Sequence, residues 1–139
     1  MTTKTKKPTA SAAKKFDYKK IKTFEDACKK LGIEPAKLPD PNGIPEEFHK
    51  PIIAGYKLMI VYKAINNSWR PDWSNWSQYK YYPWFRVLSS GFGFSSTACV
   101  CGHAGANVGS RLCFESEEKA EFAGRQFTDL YKEFLILTN

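Results

Sequence analysis

Two residues, Ser89 and Ser90, separate the runs YKYYPWFRVL (79–88) and GFGFSSTACVC (91–101), and this spacing constrains the fold more than any other feature. Both runs are rich in aromatic and β-branched residues, and a two-residue connection joins antiparallel neighbours. The turn would pair Leu88 with Gly91, Arg86 with Gly93, Trp84 with Ser95 and Tyr82 with Thr97. The alternate positions would pair Val87 with Phe92, Phe85 with Phe94, Tyr81 with Ala98 and Tyr79 with Val100. Strand side chains alternate faces. The second set is uniformly apolar and forms the expected core face, with Leu112 and Phe114 of a third run, SRLCFE (110–115), extending it. The first set puts Lys80, Tyr82, Trp84 and Arg86 beside small residues on the opposite face, an expected shallow trough walled by rings and two cations. Pro83 lacks an amide donor and marks an edge or bulge in this register.

The flanking segments read as helices. In TFEDACKKLG, Thr23 caps, Asp26 takes the capping-box position, and Phe24, Ala27, Cys28 and Leu31 fall on one face before Gly32. A proline-rich connector leads to a second helix from about Pro45, with Pro51 as a kink or true start. Its run of Ile52, Ile53, Tyr56, Leu58, Met59, Ile60, Val61, Tyr62 and Ile65 leaves little polar circumference and suits a buried spine ending at Asn66 and Asn67. A last helix begins at Ser116, with Glu117 and Glu118 in its first turn and a stripe of Ala120, Ala123, Phe127, Leu130, Tyr131 and Phe134. The expected fold is therefore α+β: a three-stranded antiparallel meander packed by two or three helices, in the order α-α-β-β-β-α, forming one domain over 23–139.

The net charge of +7 has a location. Residues 1–22 carry Lys4, Lys6, Lys7, Lys14, Lys15, Lys19, Lys20 and Lys22 against one acid, Asp17. Of 21 basic and 14 acidic residues in the chain, thirteen of each remain for 23–139, so the folded part has no general pull on a polyanion. Residues 1–22 are expected to form a disordered, basic tail, read either as a solvated arm or as an electrostatic tether. No apolar run approaches the length of a membrane span, and no secretory signal is evident, so the expectation is a cytoplasmic chain with reduced cysteines and no membrane partner.

The candidate sites follow from these placements. Lys80, Tyr82, Trp84 and Arg86, with Trp73 and Trp76 from the link RPDWSNWSQ, form a candidate ligand- or partner-binding surface, because stacking rings and cations suit a base, a sugar or a partner's side chains. The plainer reading is that these aromatics shield cross-strand glycines and that Trp69, Trp73 and Trp76 form a lid on the core. Cys99, Cys101 and His103, with Cys113, form a weak zinc candidate, since C-x-C-x-H departs from the spacing of established zinc knuckles. No cofactor is expected. A cysteine nucleophile using His103 or His49 lacks an orienting group. GHAGANVG (102–109) lacks the Lys-Ser/Thr ending of a phosphate loop, and GFGF lacks the third glycine of a dinucleotide fingerprint.

PDWSNWSQYKYYPWF, SGFGF and GSRLCFESEEKAEFAGRQFTDLYKEFL together resemble a group of uncharacterised proteins encoded by phages and prophages of gut Bacteroidetes. The resemblance covers most of residues 23–139 and excludes the basic tail. It implies a phage accessory or virion-associated protein, acting in the host cytoplasm or in the particle, and brings no catalytic residue with it. The expected function is non-catalytic: a binding or assembly module that engages another protein through its aromatic sheet face. The alternative is a single-stranded nucleic-acid-binding protein that adds the lysine tail to that face.

Overall fold

A computed structural model of the protein describes residues 15–101, with side chains through 97, and residues 112–136. Helix α1 spans Phe24–Leu31, α2 His49–Asn66, α3 Glu117–Gln126 and α4 Thr128–Leu135; strands β1 (Tyr79–Leu88) and β2 (Gly91–Cys101) form a two-stranded antiparallel sheet. The class is α+β, as the alternation and helical periodicities predict.

Helix α1 forms where its caps dictate. Thr23 Oγ1 accepts from Asp26 N at 3.1 Å, the Asp26 carboxylate accepts from Thr23 N at 3.1 Å, and Gly32 closes the far end at φ 67. Thr23→Ala is expected to lower stability by about 1 kcal/mol in a chemical denaturation curve, while Thr23→Ser leaves it nearly unchanged. Pro51 lies in the first turn of α2, where its missing amide falls among donors that have no helical partner anyway, so it neither kinks nor delays the helix. Leu58, Val61, Tyr62 and Ile65 of α2 are buried against Phe114, Ala120, Ala123, Phe127 and Tyr131, and the Tyr62 ring stacks on Phe114 at 4.0 Å. The Tyr62 and Tyr131 hydroxyls hydrogen-bond to each other, and burial pushes both phenols well above their ordinary range.

Four expectations are corrected. The tail does not reach residue 22: Ile21 is buried, the Tyr18 ring meets Phe122 edge-on at 5.5 Å, and Gln126 Nε2 donates to the Lys22 carbonyl at 2.9 Å. Apolar side chains at 16, 18 and 21 thus join the domain, with Lys15, Lys19, Lys20 and Lys22 exposed around them; residues 1–14, with Lys4, Lys6, Lys7 and Lys14, lie outside the described residues. The third strand of the meander is, among the described residues, one bridge from Phe114 to Tyr81, and it lies beside β1 rather than β2. The next hydrogen-bonded rungs would fall on Pro83, which has no amide to give, and on Ser116, which already caps α3, while Asn66 closes the outer edge, its side-chain amide donating to the Cys113 carbonyl at 2.8 Å and accepting from Glu115 N at 3.2 Å. The last helix is divided at Phe127 (φ −113, ψ 28), where the Thr128 hydroxyl donates to the Gly124 carbonyl at 2.8 Å. Finally, the hairpin register holds from Leu88↔Gly91 to Phe85↔Phe94, then slips by one residue, so that Trp84 faces Ser96 and Tyr82 faces Ala98. Ser95 is the extra residue of a bulge that starts one position beyond Pro83.

Candidate functional site

The hairpin has two unlike faces. On one, Pro83, Phe85 and Phe94 pack on the helices: Phe85 lies 4.5 Å from the Tyr131 ring and 4.8 Å from Phe92, and Arg125 of α3 covers Phe94 at 4.8 Å. Helix α3 approaches so closely at Gly124 that an added Cβ would come within 2.5 Å of Phe94 and 2.7 Å of Pro83. On the other face, in the even parity of β1, stand Tyr82, half-buried, Trp84, 52% exposed, then Arg86 and Leu88, the latter 60% exposed. Gly93, the partner of Arg86, has nothing within 4 Å of where its side chain would start, so the trough is open there.

Lys80 is the exception, and the expectation that it lines the trough is corrected. It is fully buried, because the loop of residues 70–78 folds over it. Its ammonium donates to the carbonyls of Asp72 at 2.7 Å and Asn75 at 3.0 Å and lies 5.2 Å from the centre of the Trp73 ring. Buried cations persist where acceptors replace water, and the loop supplies them. The loop is itself knit by short-range bonds. Asp72 accepts from Ser74 N at 3.0 Å and from its hydroxyl at 2.6 Å, contacts that hold the Asp72 carboxyl below its usual range, and Asp72 N donates to the Gln78 side chain at 2.6 Å. Trp73 therefore serves as a cover for Lys80, while Trp76 stays 64% exposed.

Two further residues belong to the surface, one that the alternation placed on the core face and one that it placed on the outer face but outside the candidate site. Val87, assigned to the core face, is 65% exposed, and Leu88 extends the outer face to the tip; Tyr79, also assigned to the core, is largely exposed. The signal was length. A ten-residue strand spans about 33 Å, whereas a ten-residue helix such as α3 spans about 15 Å, so the rungs near the turn extend past the helix. The surface is thus Tyr82, Trp84, Arg86, Val87 and Leu88 on a projecting hairpin, with Trp76 from the loop.

Of the zinc candidates, Cys99, Cys101 and His103 lie outside the described side chains, and among the described residues no cluster of metal-ligating groups occurs. Cys113 is buried, and burial pushes its thiol up to about 11 against the opposing pull of Lys80. Comparison with protein-family models, with curated proteins and with solved structures finds no match. Among the described residues no helix is long and apolar enough to cross a membrane.

Proposed function

We propose that the protein is a non-catalytic binding module that engages another protein through the outer face and tip of its β-hairpin, in the manner of a phage accessory or assembly protein. The observation that carries this reading is the joint exposure of Trp84, Arg86 and Leu88 on a ribbon that projects past its helices. Trp and Arg dominate the energetics of protein interfaces, and a projecting hairpin presents them where a partner's pocket can close around them. The burial of Lys80 favours this reading over single-stranded nucleic acid: of the two cations expected in the trough Arg86 alone stays at the surface, whereas strand binders follow the phosphate backbone with a charged groove.

Photocrosslinking tests it. A benzophenone amino acid at position 84 or 88, in cells that naturally carry the protein, is expected to yield a discrete adduct to one protein, and Trp84→Ala to weaken the captured complex by about 2 kcal/mol, roughly 30-fold. The fold should be unaffected, since Trp84 is half in solvent. Adducts confined to nucleic acid, together with quenching of tryptophan emission by a single-stranded oligonucleotide at low salt, would instead establish the alternative.

A further inference from the structure

Helix α2 has a second feature that the hairpin reading does not use. Its solvent side carries an apolar stripe: Phe48 just before the helix, then Ile52 and Met59, with Phe134 of α4 lying across Gly55 between them. The four side chains are 38–44% exposed, and a Cβ on Gly55 would stand 2.9 Å from the Phe134 ring, so ring and helix are in contact. At about 100° per residue, positions 52, 55, 59 and 63 fall within an arc of about 80°. The stripe therefore ends on exposed Lys63, and exposed Glu46 and Glu47 precede it. Lys50 and Lys57 belong to the far side of the helix, where Lys57 lies over the Phe24 ring at 5.3 Å. On α4, exposed Lys132 and Glu133 adjoin Phe134 and offset one another.

The order along this stripe is self-complementary. Ile52 and Met59 are equally spaced about the Gly55–Tyr56 midpoint, as are Phe48 and Lys63, and the charges at the two ends are opposite in sign. We infer that the stripe is the contact between two copies of this chain, packed with α2 antiparallel to its twin about a two-fold axis near Gly55. In that arrangement Ile52 of each copy meets Met59 of the other, the Phe134 rings meet at the axis, and Lys63 of each copy lies beside Glu46 and Glu47 of the other. The alternative packings are poorer: two parallel helices would set Lys63 against Lys63, and a strongly charged partner of either sign would leave one end unmatched. The four side chains expose on the order of 300 Å² per copy, within the range of the largest patches on ordinary monomers. Two copies therefore bury less apolar area from these side chains than the roughly 1,200 Å² of standard interfaces, and the dimer is reversible rather than obligate.

Sedimentation equilibrium of the full chain over a wide concentration range tests this. The weight-average mass is expected to rise from 15.8 kDa toward twice that value. Met59→Glu, which sets a carboxylate against Ile52 of the second copy, is expected to weaken the dimer at least about tenfold. The charge variants lie at exposed positions and should fold normally. Lys63→Glu alone, and Glu46→Lys with Glu47→Lys in a second chain, are each expected to dimerise more weakly than the parent. An equimolar mixture of the two should recover parental association, because each chain then meets opposite charge at both ends. A concentration-independent monomer, a dimer of unchanged strength in Met59→Glu, or no recovery in the mixture would each overturn the proposal.

Discussion

Replacing Gly124 with alanine is expected to lower the midpoint of thermal unfolding by about 8 °C, although alanine is the better helix former. The propensity gain on α3 is about 1 kcal/mol. Against it stands the added methyl group, which would come within 2.5 Å and 2.8 Å of two Phe94 ring carbons and 2.7 Å of the Pro83 Cβ. Pro83 cannot swing aside, because its ring is tied to the β1 backbone, and Phe94 is held from above by the Arg125 guanidinium. Overpacking costs about 1–3 kcal/mol, and contacts this short put Gly124→Ala at the upper end, so a net loss of about 2 kcal/mol remains, worth some 4 °C per kcal/mol in a domain of this length. Gly93→Ala is the matched control. It has open space around it and is expected to leave the midpoint unchanged or slightly higher. Calorimetry of both variants decides the matter, and an unchanged midpoint in Gly124→Ala would mean that α3 does not bear on the hairpin at this point.

The second large effect is expected at Lys80. Lys80→Ala removes a fully buried side chain and the two hydrogen bonds that tie the loop of residues 70–78 to β1. Hydrogen bonds from a charged donor contribute about 1.5–3 kcal/mol, and the vacated space adds a cavity term, so a loss of about 3 kcal/mol is expected in denaturant unfolding. Burying an ion is often no better than burying an apolar side chain, but that comparison concerns two buried charges that go together. Here the acceptors are neutral carbonyls of an exposed loop, which lose their bonds to the strand's lysine when the ammonium goes. Lys80→Met, which refills the space, should recover part of the stability without restoring the loop. The distinguishing reading is optical: in both variants tryptophan emission shifts to the red as Trp73, already 36% exposed, loses its remaining cover, and proteolysis within 70–78 accelerates. Unshifted emission in a destabilised Lys80→Ala would show that the loop is held by other contacts.

How much of this was legible depends on the range of the interaction concerned. The caps of α1 and α3, the Ser89–Ser90 turn and the first rungs of the hairpin were readable, because each is decided by residues within a few positions of one another. The register beyond Phe85 was not. A bulge costs one residue of alternation, and Pro83 announces an irregularity without saying which strand absorbs it or where. Asn66 shows the same limit: read as a helix stop, it also bonds residues 47 and 49 positions away, and those bonds close the outer edge of the segment that bridges to β1. In the candidate site, Tyr82, Trp84 and Arg86 follow from parity. Leu88 shares that parity, whereas the removal of Lys80 and the addition of Val87 depend on where a loop folds and how far the helices reach.

The amino-acid order by itself determined where α1, α2, α3 and the two hairpin strands form, the site of the hairpin turn and the confinement of the excess charge to the first 22 residues, since periodicity, capping and net charge are local properties of the chain. Only the tertiary structure decided which aromatics meet solvent, that a lysine lies inside, and that α2 keeps an apolar stripe outside. Burial is set by what packs on a side chain from elsewhere, and a lysine enclosed by two carbonyls and an indole is solvated by the protein as an exposed one is by water.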